Sequence, residues 1–479
     1  MSSRRVVRVR QAEDGAPPQE LRDGIAEIQR ELEVTPDFPP EVEAAAARAV
    51  AHPRLPDLDR TDLPLVTIDP AGAQDLDQAL HLERDGDGYV LHYAIADLAA
   101  FITPGDPVDL EAHRRGQTLY GADSRVPLHP TTISEGGGSL LPDQVRPAVL
   151  WTLDLDADGE QTGVDVRRAM VRSRDRLDYA GVQDLMDAGK ADERLQLLAE
   201  VGKLRMALEV ERGGVSLPIP EQEVVEDGET FALEYRVTRP VESWNEQISL
   251  MTGMAAAGLM LRGEVGVLRT LPQAPNGALE RLRRAARALG VDWPADRSYA
   301  EVVHGLDAAN PRHAALLEEA TSLLRGAGYT AFDGAVPAHA THAAVAAAYA
   351  HATAPLRRLV DRYVSEVCLA LCAGTEVPGW ARSALPQLPA EMAAGDRRAH
   401  ELERESVALM EAAVLHGREG QEFDAVAVEL DEKRGGGTVQ LVDPAVRASC
   451  EGRLPLGEAV RVRLVEADLA RRSVRFALV

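Results

Sequence analysis

The sequence is poor in cysteine and in aromatic residues, and it contains no long apolar run. Three cysteines in 479 residues are too few for a disulfide framework. Cys368 and Cys372 lie in an apolar helical pattern without a second Cys or His pair, so we expect core cysteines rather than zinc ligands. No stretch has the length of a bilayer-spanning helix, and MSSRRVVRVRQAED lacks the apolar centre of a signal peptide. We therefore expect a cytoplasmic protein that has no membrane partner.

A positive net charge is also absent. The chain carries 52 basic and 77 acidic residues, which gives a net charge of −25. This value on its own argues against a nucleic-acid partner. A nucleic-acid channel, however, needs positive charge locally rather than on average. Two arginine clusters could provide it, one at Arg357, Arg358 and Arg362 and one at Arg471, Arg472 and Arg475.

Three carboxylates follow an apolar, β-branched run within residues 65–80, LVTIDPAGAQDLDQAL. The run predicts a strand that ends at Asp69, and a short loop then leads to Asp75 and Asp77. Carboxylate oxygens suit Mg²⁺, and two such ions about 4 Å apart can stabilise both the attacking and the leaving oxygen of a phosphoryl displacement. A solvated turn rich in Asp is the plain alternative. The D-x-D pattern alone also fits a metal-dependent phosphatase or a transferase.

Two further stretches carry a family resemblance. Residues 91–149 contain LHYAIADLAAF and RGQTLYGADSRVPLHP, and residues 349–364 read YAHATAPLRRLVDRYV. Together with TIDPAGAQDLDQAL, they resemble the RNB catalytic domain of the ribonuclease II / ribonuclease R family, in the same order. The resemblance implies a Mg²⁺-dependent, processive exoribonuclease that uses one or two ions, for which Mn²⁺ can substitute. Such an enzyme hydrolyses single-stranded RNA from its 3′ end to nucleoside 5′-monophosphates.

The resemblance covers roughly residues 36–479 and implies a mixed α/β fold with three parts. Residues 1–60 predict a small helical module, either helix-turn-helix-like or a plain packing extension, where the family usually carries two cold-shock barrels. Residues 61–417 correspond to the mixed α/β catalytic domain. Residues 418–479 alternate short strands, which predicts an all-β OB-fold barrel of the S1 type that binds single strands. We expect a monomer without an obligatory protein partner.

The acidic positions of the family's D-x5-D-x-D-D motif fall on this loop. The resemblance assigns Asp69 and Asp75 to metal binding, and Asp77 to metal binding and catalysis. The fourth acid of the motif is Gln78 here. Its carbonyl oxygen can still ligate a metal, but it brings no charge. A degenerate protein that binds RNA without efficient cleavage is therefore an alternative.

The segment TAPLRR resembles the family's TSPIRR motif and supplies Arg357. A guanidinium at the scissile phosphate stabilises the negative charge of the transition state. The apolar pattern after Pro355 predicts a helix with Arg357 in its first turn, where the positive end of the helix also favours phosphate. Arg358 is a second candidate for a phosphate contact. An ion pair with Asp361 or Glu366 is the alternative for Arg358.

Three further residues match family positions near the RNA end. Tyr120, in RGQTLYGAD, matches the aromatic residue that stacks on the 3′-terminal nucleotide, a contact worth about 1–3 kcal/mol. Glu246, in SWNEQISL, and Glu403, in HELERES, match acidic positions of RNA-binding residues. The alternatives are a half-buried tyrosine and a solvated helix face.

Overall fold

The structure of the protein is a computed structural model that describes residues 8–9, 19–121, 125–217, 221–227, 230–236, 238–307, 310–431, 435–441 and 443–479. Residues 1–7 and 10–18 of the predicted N-terminal module lie outside these ranges. The helices are α1 (Gln19–Glu31), α2 (Pro40–Ala51), α3 (Pro107–Arg115), α4 (Tyr179–Asp187), α5 (Glu193–Glu211), α6 (Pro240–Arg262), α7 (Asn276–Ala288), α8 (Tyr299–His304), α9 (Pro311–Thr321), α10 (Leu359–Ala373), α11 (Gly379–Ala384) and α12 (Leu388–Leu415).

Two short 3-10 helices (Leu98–Ala100 and Ser322–Leu324), one π-helical turn (Thr132–Gly137) and the strands make up the rest of the regular structure of the described residues. The strands are β1 (Arg8–Val9), β2 (Leu65–Asp69), β3 (Gln78–Asp85), β4 (Gly88–Ala96), β5 (Leu119–Tyr120), β6 (Arg125–Val126), β7 (Val145–Leu155), β8 (Gln161–Asp178), β9 (Glu221–Asp227), β10 (Thr230–Arg236), β11 (Val265–Thr270), β12 (Gly328–Asp333), β13 (Thr341–His342), β14 (Ala347–Ala348), β15 (Glu422–Asp431), β16 (Gly436–Leu441), β17 (Arg447–Glu451), β18 (Ala459–Asp468) and β19 (Ser473–Leu478).

A closed five-stranded barrel forms the centre of the middle region. Its strands follow the order β2-β3-β4-β7-β8, and β2 closes the barrel by pairing in parallel with β8, whereas the other neighbours are antiparallel. Strands β4 and β7 are rich in branched and aromatic residues, which favour strands. They bury Tyr93 and Trp151 completely. The hairpin between β3 and β4 turns at Gly86, whose positive φ of 58° suits a tight two-residue turn.

Helices α5, α6 and α10 cover this barrel and share its largest apolar cluster. Trp244 and Ile248 of α6 and Val364 of α10 are buried there together with Trp151. Cys368 of α10 is buried in the same cluster, and Cys372 is half-buried against it. Both cysteines therefore lie against the apolar core, as the sequence predicts.

The stretch at residues 240–330 is rich in helices but not wholly helical. It contains β11, which pairs antiparallel with β12 from Val265↔Asp333 to Thr270↔Gly328. Helices α7, α8 and α9 lie between these two strands in the chain and form a separate apolar cluster. The sequence carries no local signal for this pairing, because each strand is short and its partner lies some sixty residues away.

The two N-terminal helices pack into different apolar clusters. Leu21, Ile25 and Ile28 of α1 lie with α12 and the C-terminal strands. Val42 and Ala46 of α2 lie instead with a cluster formed around residues 96–102. Since each helix covers a different part of the molecule, this arrangement fits a packing extension better than a self-contained helix-turn-helix unit.

The C-terminal strands close into a second barrel in the order β15-β16-β17-β19-β18, in agreement with the predicted OB-type fold. Its aromatic residues Phe423 and Phe476 face each other in the interior, with ring centroids 5.9 Å apart, and both are buried. Neither ring can therefore stack on a base. Among the described residues, every helix is too short or too polar to cross a membrane.

Candidate active site

The aspartate loop, residues 69–78, connects β2 to β3. Its first turn is closed by a hydrogen bond from the Ala73 amide to the Pro70 carbonyl at 3.1 Å. Leu76 is fully buried and anchors the middle of the loop, since its amide donates to Ser139 Oγ at 3.0 Å. This anchor places Asp75 and Asp77 on either side of a fixed apolar residue.

Asp77 is the most enclosed carboxylate of the loop. Its side chain is buried, its Oδ1 accepts a hydrogen bond from the Leu356 amide at 2.8 Å, and its Oδ2 lies 3.6 Å from Arg357 Nε. Burial raises the pKa of Asp77 well above its ordinary value, while Arg357 and the Leu356 amide oppose this shift. The chain therefore holds a buried carboxylate in direct contact with the predicted phosphate-binding arginine.

Asp69 and Asp75 lie near enough to repel each other. Burial, followed by repulsion from Asp75, raises the pKa of Asp69 to about 7. Asp69 Oδ2 is buried and accepts no hydrogen bond from the described residues. Asp75 pairs with Arg125, whose Nη1 lies 2.8 Å from Asp75 Oδ1 and which also contacts Glu135.

The three aspartates lie in one region of the fold, but their carboxylates do not form a complete set of ligands around one point. In the part of the chain that the structure describes, no three His, Cys, Asp or Glu side chains converge as ligands of one ion. The reason is visible in their contacts, since Asp75 pairs with Arg125 and Asp77 with the Leu356 amide and Arg357. The predicted metal-binding roles of these aspartates stay predictions.

Gln78 uses both ends of its amide in hydrogen bonds with the protein. Its Nε2 donates to the Thr353 carbonyl at 2.6 Å, and its Oε1 accepts from the hydroxyls of Tyr93 and Ser249. These partners come from β4, from α6 and from the segment before α10. Both ends of the Gln78 amide thus contact the protein, and its predicted metal-binding role stays a prediction.

Residues 353–358, here called the arginine turn, contain Arg357 just before α10. The sequence prediction that Arg357 lies in the first turn of the helix is wrong, because α10 begins at Leu359. Long-range pairing explains the later start. The Arg357 carbonyl accepts from the Thr118 amide at 2.9 Å, and Arg358 is extended and pairs antiparallel with Gln117, so the turn at residues 354–357 does not continue directly into α10.

Arg358 forms the ion pair that the sequence left open. Its Nε and Nη2 each donate to the Asp361 carboxylate at 2.8 Å, and its side chain is largely buried. The other candidate partner, Glu366, pairs with Arg168 instead. A phosphate contact by Arg358 would compete with this pair.

The suggested arginine clusters are largely neutralised by carboxylates, which corrects the expectation of local positive charge there. The cause is that each guanidinium lies beside an acidic side chain from another element or from its own turn. The pairs are Arg362–Asp109, Arg471–Asp468, Arg472–Glu31, Arg472–Glu405, Arg475–Glu451 and Arg475–Glu466.

The remaining predicted residues are distributed around this site. Tyr120 on β5 is 36% exposed, and its strand neighbour on β6 is Arg125, the partner of Asp75. Glu246 lies half-buried on α6, and its charge contributes to the raised pKa of Tyr349, for which burial is the main cause. Glu403 lies half-buried on α12, next to Leu402 in the cluster of α1 and the C-terminal barrel. These RNA-binding roles stay predictions.

Sequence reasoning missed four polar side chains that shape the site, namely Tyr93, Ser139, Ser249 and Arg125. Each signal was weak. Tyr93 and Ser249 are single hydroxyl residues within apolar runs, and Arg125 is one of many arginines in the chain. An antiparallel β3–β4 hairpin would place Tyr93 near the start of β3, and this was the one clue that the sequence contained.

Comparison with known proteins agrees with this architecture. The family model of the RNB domain matches residues 58–373, and that of the RNase II-type exonuclease C-terminal S1 domain matches residues 421–479. The chain is 27% identical to ribonuclease R of Escherichia coli over 478 residues, an alignment that covers 88% of this chain and 57% of the relative. The chain thus spans little more than half the length of this curated relative.

Two solved structures share the fold. RNase R of Mycoplasma genitalium superposes with a TM-score of 0.85 at 18% identity, covering 96% of this chain and 78% of that protein. It is also known in complex with ribose methylated single-stranded RNA. Yeast Ssd1, described as a pseudonuclease, superposes with a TM-score of 0.70 at 16% identity, covering 92% of this chain and 57% of that protein. At these identities the likeness concerns the fold alone.

Proposed function

Since the chain belongs to the RNB domain family and carries an RNase II-type S1 domain, we propose that it is an exoribonuclease. It hydrolyses single-stranded RNA processively from the 3′ end and releases nucleoside 5′-monophosphates. It works in the cytoplasm as a monomer, with no obligatory protein partner. The phosphatase or transferase interpretation of the D-x-D pattern leaves both the arginine turn and the terminal barrel without a role.

The contact between Asp77 and the arginine turn carries this proposal. The two motifs are 279 residues apart in the chain, yet the Leu356 amide bonds to Asp77 Oδ1 at 2.8 Å. Arg357 Nε lies 3.6 Å from the other carboxylate oxygen, and its side chain is 32% exposed. A guanidinium that is both anchored and accessible suits a phosphate whose negative charge grows in the transition state.

The aspartate loop fits a divalent cation by its chemistry. Its carboxylate oxygens are the ligands that Mg²⁺ prefers, and the buried Asp69 Oδ2 has no hydrogen-bond donor among the described residues. Asp69, Asp75 and Asp77 would hold one or two Mg²⁺ ions, or Mn²⁺ in their place. A bound ion supplies positive charge that acidifies water and polarises the phosphate.

The residues around the loop define what the chain itself does. Asp77 orients its neighbours through the Leu356 amide, and Arg357 neutralises the scissile phosphate. Tyr120 stacks on the terminal base from its exposed position on β5. The barrel of β15–β19 contacts the RNA backbone, because both of its phenylalanines are buried inside it. The RNA 2′-hydroxyl distinguishes the substrate from DNA.

A non-cleaving RNA-binding protein is the second candidate function. It is favoured by Gln78, which replaces an acid of the resembled motif. It is also favoured because, within the described residues, no three His, Cys, Asp or Glu side chains lie close enough to share one metal ion. The fold itself occurs in a protein described as a pseudonuclease. Only a direct assay separates the two candidates.

The test uses a 5′-labelled single-stranded RNA of roughly 30 nucleotides, long enough to span several single-strand sites. We expect Mg²⁺ to produce a short 5′ fragment, with no product in EDTA or from DNA of the same sequence. Thin-layer chromatography of a uniformly labelled RNA should show nucleoside 5′-monophosphates. Tight binding of intact RNA would instead establish the second candidate.

The matched control compares two Asp-to-Asn variants. Asp77→Asn removes the buried carboxylate, whereas Asp333→Asn removes an exposed one that pairs with Arg382. We expect the first to abolish cleavage with RNA binding retained, and the second to leave both unchanged. Equal cleavage by the Asp77→Asn variant would contradict the assigned site.

A further inference from the structure

The hydrogen bonds of Gln78 connect three parts of the fold beside the aspartate loop. Nε2 donates to the Thr353 carbonyl at 2.6 Å, and Oε1 accepts from Ser249 Oγ at 3.3 Å and from the Tyr93 hydroxyl. The two hydroxyls lie 2.9 Å from each other. Tyr93 and Thr353 are buried, so solvent has little access to replace these contacts.

Gln78 and its neighbour Asp77 hold the same segment. Gln78 bonds to the Thr353 carbonyl at the start of the arginine turn, and Asp77 accepts from the Leu356 amide within it. Two adjacent residues, the last before β3 and the first within it, thereby hold both sides of a short turn. Arg357 follows Leu356 directly, so the position of its side chain depends on both bonds.

The hydrogen bonds at this position match an amide and do not match an ionised carboxylate. An amide donates through its nitrogen, which suits the Thr353 carbonyl, and accepts through its oxygen, which suits the hydroxyls of Tyr93 and Ser249. A carboxylate at position 78 could accept from Tyr93 and Ser249. It could not donate to the Thr353 carbonyl, and two acceptor oxygens would then face each other.

We propose that Gln78 is a positioning residue that holds the arginine turn against Asp77, and that it is not a metal ligand. The proposal rests on the proposed function, because it explains how Arg357 is placed for catalysis. The amide at position 78 then replaces the fourth acid of the resembled motif and holds the arginine turn in place. The site works with three carboxylates, and restoring an acid at position 78 lowers activity.

Hydrogen exchange of the full-length protein in EDTA tests the positioning role without RNA or metal. Gln78→Met keeps the length of the side chain and removes its donor and acceptor. We expect the amides of Ala354, Leu356, Arg357 and Arg358 to exchange at least tenfold faster in this variant. The control is Gln196→Met, which removes a bond from Nε2 to the Ala191 carbonyl at a distant surface site. Unchanged exchange in the arginine turn would overturn the proposal.

Manganese titration followed by electron paramagnetic resonance tests the second half of the proposal. If Gln78 is no ligand, Gln78→Met should bind Mn²⁺ within threefold of the wild type. A loss of tenfold or more, with exchange unchanged, would identify Gln78 as a ligand and overturn the proposal. Should Gln78→Met fail to fold, Tyr93→Phe removes one hydroxyl donor and should accelerate the same exchange to a smaller extent. Unchanged exchange in Tyr93→Phe would then overturn it.

Steady-state kinetics separate this proposal from the proposed function. We expect Gln78→Met and Gln78→Asp to lower kcat by tenfold or more with KM within threefold, because Arg357 acts on the transition state. A higher kcat in Gln78→Asp would overturn the positioning role. A wild type without cleavage would refute the proposed function, while the exchange and manganese results would still decide the role of Gln78.

Discussion

Replacing Asp69 by Asn should stabilise the metal-free protein, and the gain should depend on pH. The pKa of Asp69 is raised from 3.8 to about 7 in the folded chain, chiefly by burial and then by Asp75. The folded state therefore holds a proton that the unfolded state releases between these two pH values. Stability from this group is fully present below pH 3.8 and is lost as the pH rises towards 7.

The size of the effect follows from the shift. Each pKa unit corresponds to about 1.36 kcal/mol, and roughly two units separate pH 5 from the folded pKa of Asp69. Between pH 5 and pH 8, the wild type should lose about 2.7 kcal/mol of unfolding free energy that Asp69→Asn retains. The unpaired Oδ2 of Asp69 supports this direction, because no described donor stabilises its charge.

Urea unfolding in EDTA at pH 5, 6, 7 and 8 measures the difference between the two proteins. Asp333→Asn is the control, since pairing with Arg382 lowers the pKa of Asp333 and leaves it ionised throughout this range. Its difference from wild type should be constant. In saturating Mg²⁺ the wild type should become more stable than Asp69→Asn, because binding of the ion adds to the unfolding free energy of the wild type only. A stability difference for Asp69→Asn that does not change with pH would refute the reasoning.

Three further changes have defined outcomes. Arg357→Ala should lower kcat by about 10²–10³ with RNA affinity nearly retained, as filter binding beside single-turnover cleavage would show; an equal loss in affinity would contradict a transition-state role. Arg125→Gln should lower the Mg²⁺ concentration for half-maximal activity several-fold, because it frees Asp75 from its guanidinium partner; a higher requirement would contradict that competition. Tyr120→Ala should lengthen the shortest product on a sequencing gel while hydrolysis continues, and an unchanged product ladder would contradict the stacking role.

Local sequence patterns predicted the elements that depend on neighbouring residues. The branched run at Leu65–Ile68 forms β2 and delivers Asp69 at its end, and the short alternating strands after residue 420 close into a barrel. The contact between the aspartate loop and the arginine turn could not be predicted in this way. No local pattern contains a contact over 279 residues, so only the family resemblance suggested it.

The errors arose where distant residues override local preference. The pattern after Pro355 favours an early helix start, but the bonds of Arg357 and Arg358 to Thr118 and Gln117 keep both residues out of the helix. The arginine clusters appeared more positive than they are, partly because some of their acidic partners are remote in sequence. Arg472, for example, pairs with residues of α1 and α12.

The replacement of an acid by Gln78 could not be interpreted from the sequence, because an amide oxygen suits both a metal and a hydroxyl. The charges of the folded site favour the hydroxyls over a metal as partners of the Gln78 amide oxygen. Asp69 and Asp77 already have raised pKa values, and other carboxylates contribute to both shifts. A further carboxylate at position 78 would add repulsion to a buried cluster, whereas the amide adds none and supplies the donor that Thr353 requires. The loss of one acid is therefore physically consistent with a site that keeps the arginine turn in contact with Asp77.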